Sequence, residues 1–103
     1  MLGVFEILYG YTGMKLELKK FGTLLTSRQL GREAYLAIQP VLRETSDDEA
    51  IEIGFEGVVA LSPSWADEFL TPLQEQFKGR VMMNESNNSS VKATLELLES
   101  VKQ

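Results

Sequence analysis

Residues 51–56 read Ile51-Glu52-Ile53-Gly54-Phe55-Glu56, and this stretch decides the fold. Apolar side chains alternate with a carboxylate or a glycine. That alternation predicts a β-strand with Ile51, Ile53 and Phe55 on one face and Glu52 and Glu56 on the other. A parallel strand held between two helical layers is apolar throughout. This one is not, so helices are expected mainly on one face of its sheet.

Working outward toward the N-terminus, Leu30, Ala34, Ile38 and Leu42 recur at helical spacing and predict a helix over 27–43. Thr26 and Gln29 fit a capping box at its start. Pro40 predicts a kink or an early end, because proline lacks the N–H and its ring clashes with the preceding turn. Before it, Met14-Lys15-Leu16-Glu17-Leu18-Lys19 alternates strictly and predicts a second half-wet strand. Residues 3–9 are rich in β-branched and aromatic types, and Gly10-Tyr11-Thr12-Gly13 is turn chemistry, so a hairpin is expected here.

Toward the C-terminus, 57–63 reads as a connecting loop. A helix then starts near Ser64, with Ala66, Phe69, Leu70, Leu73 and Phe77 as its apolar stripe. Pro72 predicts a kink, and Lys78 and Gly79 an end. Arg80 to Met83 reads as a short strand. Asn88 or Ser89 caps a last helix with the stripe Val91, Leu95, Leu98 and Val101. The order is β-β-α-β-α-β-α, an α/β fold with a four-stranded mixed sheet and helices mainly on one face. Residues 1–103 are expected to form one domain, of a size that buries about 65% of its unfolded surface.

Composition narrows the chemistry. The chain has neither Cys nor His. That removes disulfides, thiolate nucleophiles, imidazole bases, Ser-His-Asp triads and Cys/His zinc sites. No phosphate-cradling glycine loop is present. No catalytic residues, no metal and no cofactor are therefore expected, and the chain reads as a non-enzyme. No apolar run approaches the ~18 residues of a membrane span. The N-terminus shows no signal-peptide pattern, which predicts a cytoplasmic protein. Residues 1–43 carry six Lys/Arg and three Asp/Glu, and residues 44–103 four and twelve, so the halves are +3 and −8 in a chain of −5. An acidic domain is a poor nucleic-acid binder. The one basic cluster, Lys15, Lys19 and Lys20, reads as a solvated strand edge.

Four segments resemble the STAS-like domain family, prokaryotic relatives of the sulphate-transporter and anti-sigma-factor-antagonist domain. They are Phe21-Gly22-Thr23-Leu24-Leu25-Thr26-Ser27-Arg28, Ile51 to Val58, Ser64-Trp65-Ala66-Asp67-Glu68-Phe69, and Asn84 to Val91. The resemblance covers about residues 14–101. It implies a STAS-type fold and a regulatory module that docks a protein partner, a histidine-kinase-like ATPase that is also the anti-sigma factor. In such antagonists the loop after the central strand carries an Asp-Ser-Ser-Gly-like motif whose second serine is phosphorylated. Leu61-Ser62-Pro63-Ser64-Trp65 falls on that loop, with Ser64 at the phospho-acceptor. Here Ser62 stands for the Asp, Pro63 for the first Ser and Trp65 for the Gly.

The residues themselves leave alternatives open. Ser64 and Asp67 also fit a helix N-cap signature. Asp67 and Glu68 suit the positive end of a helix, and Arg28 is their expected counter-ion, in bidentate geometry. Trp65 reads as core or as an anchor for a partner. The partner-binding candidates are thus Ser62, Trp65, Asp67, Glu68 and Arg28. Two other functions compete with the docking module: a small-ligand or enzymatic site built on Arg28, Asp67, Glu68 and Asn84, and a self-associating structural subunit.

Overall fold

The computed structural model describes residues 13–45 and 48–101. The strand expected at residues 3–9, and with it the hairpin, lies outside the described residues. Three strands form one parallel sheet in the order β1-β3-β5: β1 is Gly13–Glu17, β3 is Ala50–Gly54 and β5 is Val81–Met83. A second, two-stranded parallel ladder joins β2, Leu24–Leu25, to β4, Ala60–Leu61. The described strands are therefore three plus two, all parallel, where a single four-stranded mixed sheet was expected. The alternation of residues 14–19 also stops early, since Leu18–Phe21 turn as a 3-10 helix.

The register explains the half-wet pattern. Lys15 lies beside Glu52, and Glu52 beside Met82, so these three share one face. On the other face Ile51 and Ile53 are fully buried, with Met14, Leu16, Val81 and Met83 packed against the same core. Lys15 pairs with Glu17 and Glu52, and Lys19 with Glu56, so the basic cluster is partly neutralised by nearby carboxylates. These contacts, the hydrogen bond to Glu17 first, raise the Lys15 pKa.

Among the described residues four α-helices accompany the strands: α1 Arg28–Ala37, α2 Gln39–Leu42, α3 Pro63–Gln76 and α4 Ser89–Ser100. The break between α1 and α2 falls at Ile38, as Pro40 requires. In the short second helix Pro40 occupies the first turn, where no N–H is needed. Pro72 behaves differently. It leaves the Glu68 carbonyl without its usual donor, yet α3 runs through it, held by buried Phe69, Leu70 and Leu73. The helix ends at Gln76, two residues short of the expected Lys78, and Gly79 takes the left-handed φ of 77° beyond it.

Two stripe residues are corrected. Leu30 is 56% and Val101 67% exposed. The buried stripe of α1 starts instead at Gly31, continues through Ala34 and reaches Ile38 and Leu42. A Cβ on Gly31 would lie 2.5 Å from the Trp65 carbonyl oxygen, so glycine is what lets α1 and α3 meet backbone to backbone. Val101 is the C-cap residue of α4, just past its last turn, and stands at the rim of a cleft with Phe77, Val81 and Leu98. At the centre of the core, Trp65 stacks on Phe69 at 4.8 Å, and Phe21 tilts against both.

Candidate docking site

Three helix N-termini converge on the β2–β4 ladder. Ser27 caps α1, its Oγ accepting from the Leu30 N–H at 3.2 Å. The cap was expected one residue earlier, at Thr26. Ser62 caps α3: its Oγ accepts from the Trp65 N–H at 3.2 Å and donates to the Thr26 carbonyl at 2.9 Å. The cap expected at Ser64 is thus made two residues earlier, because Pro63 can only sit inside the first turn and needs a capping residue ahead of it. Asn88 caps α4 through Oδ1, while its Nδ2 donates to the Val58 and Val59 carbonyls.

The outer edge of β4 is closed by α4. Ser90 Oγ accepts from the Leu61 N–H at 2.9 Å, and both Ser90 and Thr94 donate to the Leu61 carbonyl. Nothing in the spacing of Ser90 and Thr94 marked them for this. Only their i, i+4 placement on the buried side of α4 could have raised the question.

Around this framework the candidate residues separate. Ser64 is the second residue of α3 and half-buried, and among the described residues its hydroxyl makes no hydrogen bond. Trp65 is only 1% exposed, so its indole serves the core and does not face a partner. Arg28 does reach across from α1 to α3. A single nitrogen, Nη1, lies 2.6 Å from Glu68 Oε2 and 3.4 Å from Asp67 Oδ2. It bridges two carboxylates, where a bidentate pair to one was expected. These bonds, Glu68 first, raise the Arg28 pKa. Asp67 also accepts from Thr71 Oγ1 at 3.1 Å.

Ser64, Asp67 and Glu68 stand at i, i+3 and i+4 and share one face of α3. Asn84 is not among them: its Nδ2 donates to Glu52 Oε2 at 2.8 Å, on the sheet. A cleft of about 640 Å³ between α3 and α4 takes in Asp67, Thr71, Phe77 and Leu98 but neither Arg28 nor Glu68. A second, of about 320 Å³, lies beside Ser62 and is lined by Leu61, Pro63, Ala93 and Leu97. Leu97 in this lining is 47% exposed, and Leu24 of β2 and Val59, just before β4, are exposed by 66 and 61%. Among the described residues no cluster of acidic groups is placed to hold a metal ion, and no helix is long and apolar enough to cross a membrane.

No family model, curated protein or solved structure matches the chain. What the geometry defines is an α/β protein with parallel strands and a built surface at the N-terminus of α3.

Proposed function

We propose that the chain is a non-enzymatic regulatory module of the anti-sigma-factor-antagonist type, which docks a protein partner through the Ser62–Ser64 loop and the first turns of α3. The partner is a histidine-kinase-like ATPase, and Ser64 is the residue it phosphorylates. One observation carries this reading: Ser62 does the capping, which leaves the hydroxyl of the half-buried Ser64 uncommitted in the same turn. The exposed apolar side chains Leu24, Val59 and Leu97, the last of them lining the groove beside Ser62, offer the area that docking requires.

The charge arrangement supplies the switch. A phosphoserine carries a charge of about −1.5 to −2 and three strong acceptors. On Ser64 it would stand one turn from Asp67 and Glu68 and compete for Arg28. Arg28 uses only Nη1 for its carboxylates. Its other nitrogens offer the phosphate a fork. The phosphate would add like charge beside Asp67 and Glu68, and that repulsion would weaken docking.

The test has two stages. Mass spectrometry of protein recovered from its own cells should find one phosphoryl group, on Ser64. Ser64→Asp should then weaken partner binding, while Ser64→Ala keeps it and resists ATP. Unmodified Ser64, together with equal affinity of both variants, would defeat the proposal. The ligand-binding alternative gains no support from the geometry, since Asn84 is engaged with Glu52 and not with the Arg28 cluster.

A further inference from the structure

The protein treats two of its strand edges differently. The outer edge of β4 is stoppered by the hydroxyls of Ser90 and Thr94. The outer edge of β5 carries no such cover among the described residues. β5 ends the β1-β3-β5 order. Its bonds to β3 use the Arg80 carbonyl, Met82 and the Asn84 N–H, as shown by Ile51 N–H to Arg80 at 2.7 Å and Asn84 N–H to Ile53 at 2.9 Å. In a parallel ladder the intervening residues then turn their backbone groups the other way. Val81 and Met83 therefore present two N–H and two C=O groups to the side away from β3, where no described strand pairs with them. Natural edges are blunted by shortness, lysine, proline or a bulge, and of these Val81-Met82-Met83 has only its length of three residues, with neither lysine nor proline.

We propose that this edge of β5 takes up an extended, basic peptide segment of another protein as an added strand. The chemistry of the occupant follows from the charges along the edge. Clefts of about 270 and 470 Å³ flank Met83, and between them they are lined by Glu85, Glu96 and Glu99 against one cation, Lys92, while Arg80 at the start of the strand lies over the Phe77 ring. Alternate side chains of an added strand point to opposite faces of the sheet. One set would meet the partly buried Leu95 and Met83, and the other the 50% exposed Met82. A second copy of this chain is disfavoured by the same charges, because pairing β5 with β5 would bring two acidic rims together. This surface is separate from the Ser64 loop, and either can function without the other.

The probe is a labelled peptide in which lysine and valine alternate, with a glutamate–valine peptide as control. Fluorescence anisotropy should show binding of the lysine peptide alone, weakening as salt is raised. Met83→Pro removes an outward N–H while leaving the β3 ladder its donors, and should reduce affinity by about tenfold or more. The double variant Glu85→Lys, Glu96→Lys should do the same through charge, and it keeps the test open should the proline variant fail to fold. Hydrogen exchange separates pairing from mere attraction: the Val81 and Met83 amides should gain protection when the peptide binds. Binding without that protection, binding that a folded Met83→Pro leaves unchanged, or no binding of the lysine peptide each overturns the proposal. So does self-association of the chain through β5, seen by sedimentation.

Discussion

Gly31→Ala separates a local from a tertiary argument with one methyl group. Inside an exposed helix, alanine is better than glycine by about 1 kcal/mol. A reading based on helix propensity therefore expects stabilisation. The structure expects the reverse. The new Cβ would sit 2.5 Å from the Trp65 oxygen and 3.0 Å from its Cα, and these are backbone atoms that cannot swing aside. Ordinary carbon–oxygen contact begins near ~3.3 Å, so α1 must retreat by roughly 0.8 Å. A gap of that size forfeits about a quarter to a half of the dispersion attraction across the contact. It also stretches the polar clamps at both ends of the helix pair. At one end Arg28 bridges to Glu68, and at the other Tyr35 donates to Gln76 Oε1 at 2.7 Å. Overpacking of this kind costs about 1–3 kcal/mol, which outweighs the propensity gain. The expected net loss reaches about 2 kcal/mol, with Tm lowered by roughly 4–8 °C per kcal/mol. Urea unfolding followed through the fluorescence of the single, buried Trp65 measures it directly. A Gly31→Ala protein as stable as the parent, or more so, would refute the close approach of α1 and α3.

Other substitutions test the corrected caps and stripe. Ser62→Ala should cost about 1–2 kcal/mol in chemical denaturation, and Ser64→Ala less than about 0.5, because only Ser62 holds the first turn of α3. Leu30→Ala should be nearly neutral, whereas Val91→Ala, at a fully buried site, should cost about 2–3 kcal/mol. The raised pKa of Lys15 has a definite sign. A base whose folded pKa lies above its unfolded one contributes stability that is complete below the unfolded value and is lost as pH rises through the folded one. Its window thus opens above about pH 10, and Lys15→Met should flatten the alkaline arm of the stability profile while leaving the neutral range without slope from this group.

Elements whose signal is periodic were legible in the residues alone. Ile51, Ile53 and Phe55 alternate and are buried, Pro40 breaks the first helix where expected, and Asn88 caps the last one. Arg28 was also brought together with Asp67 and Glu68, because opposite charges at two helix starts are readable as residue types. Tertiary structure decided what depends on partners distant in the chain. β2 and β4 are two residues each, too short for any alternation, and exist because each completes the other's hydrogen bonds. Hydropathy selected Leu30 for the helix contact. Packing selected Gly31, since the closest approach of two helices calls for the smallest side chain and leaves the large neighbour outside. The cap moved from Ser64 to Ser62 because a hydroxyl caps only where the backbone is extended and the Thr26 carbonyl waits across the ladder. The adjacent methionines, Met82 and Met83, were parted by the pleat of β5, one to solvent and one to the core, and only their register against Glu52 and Ile53 shows which is which.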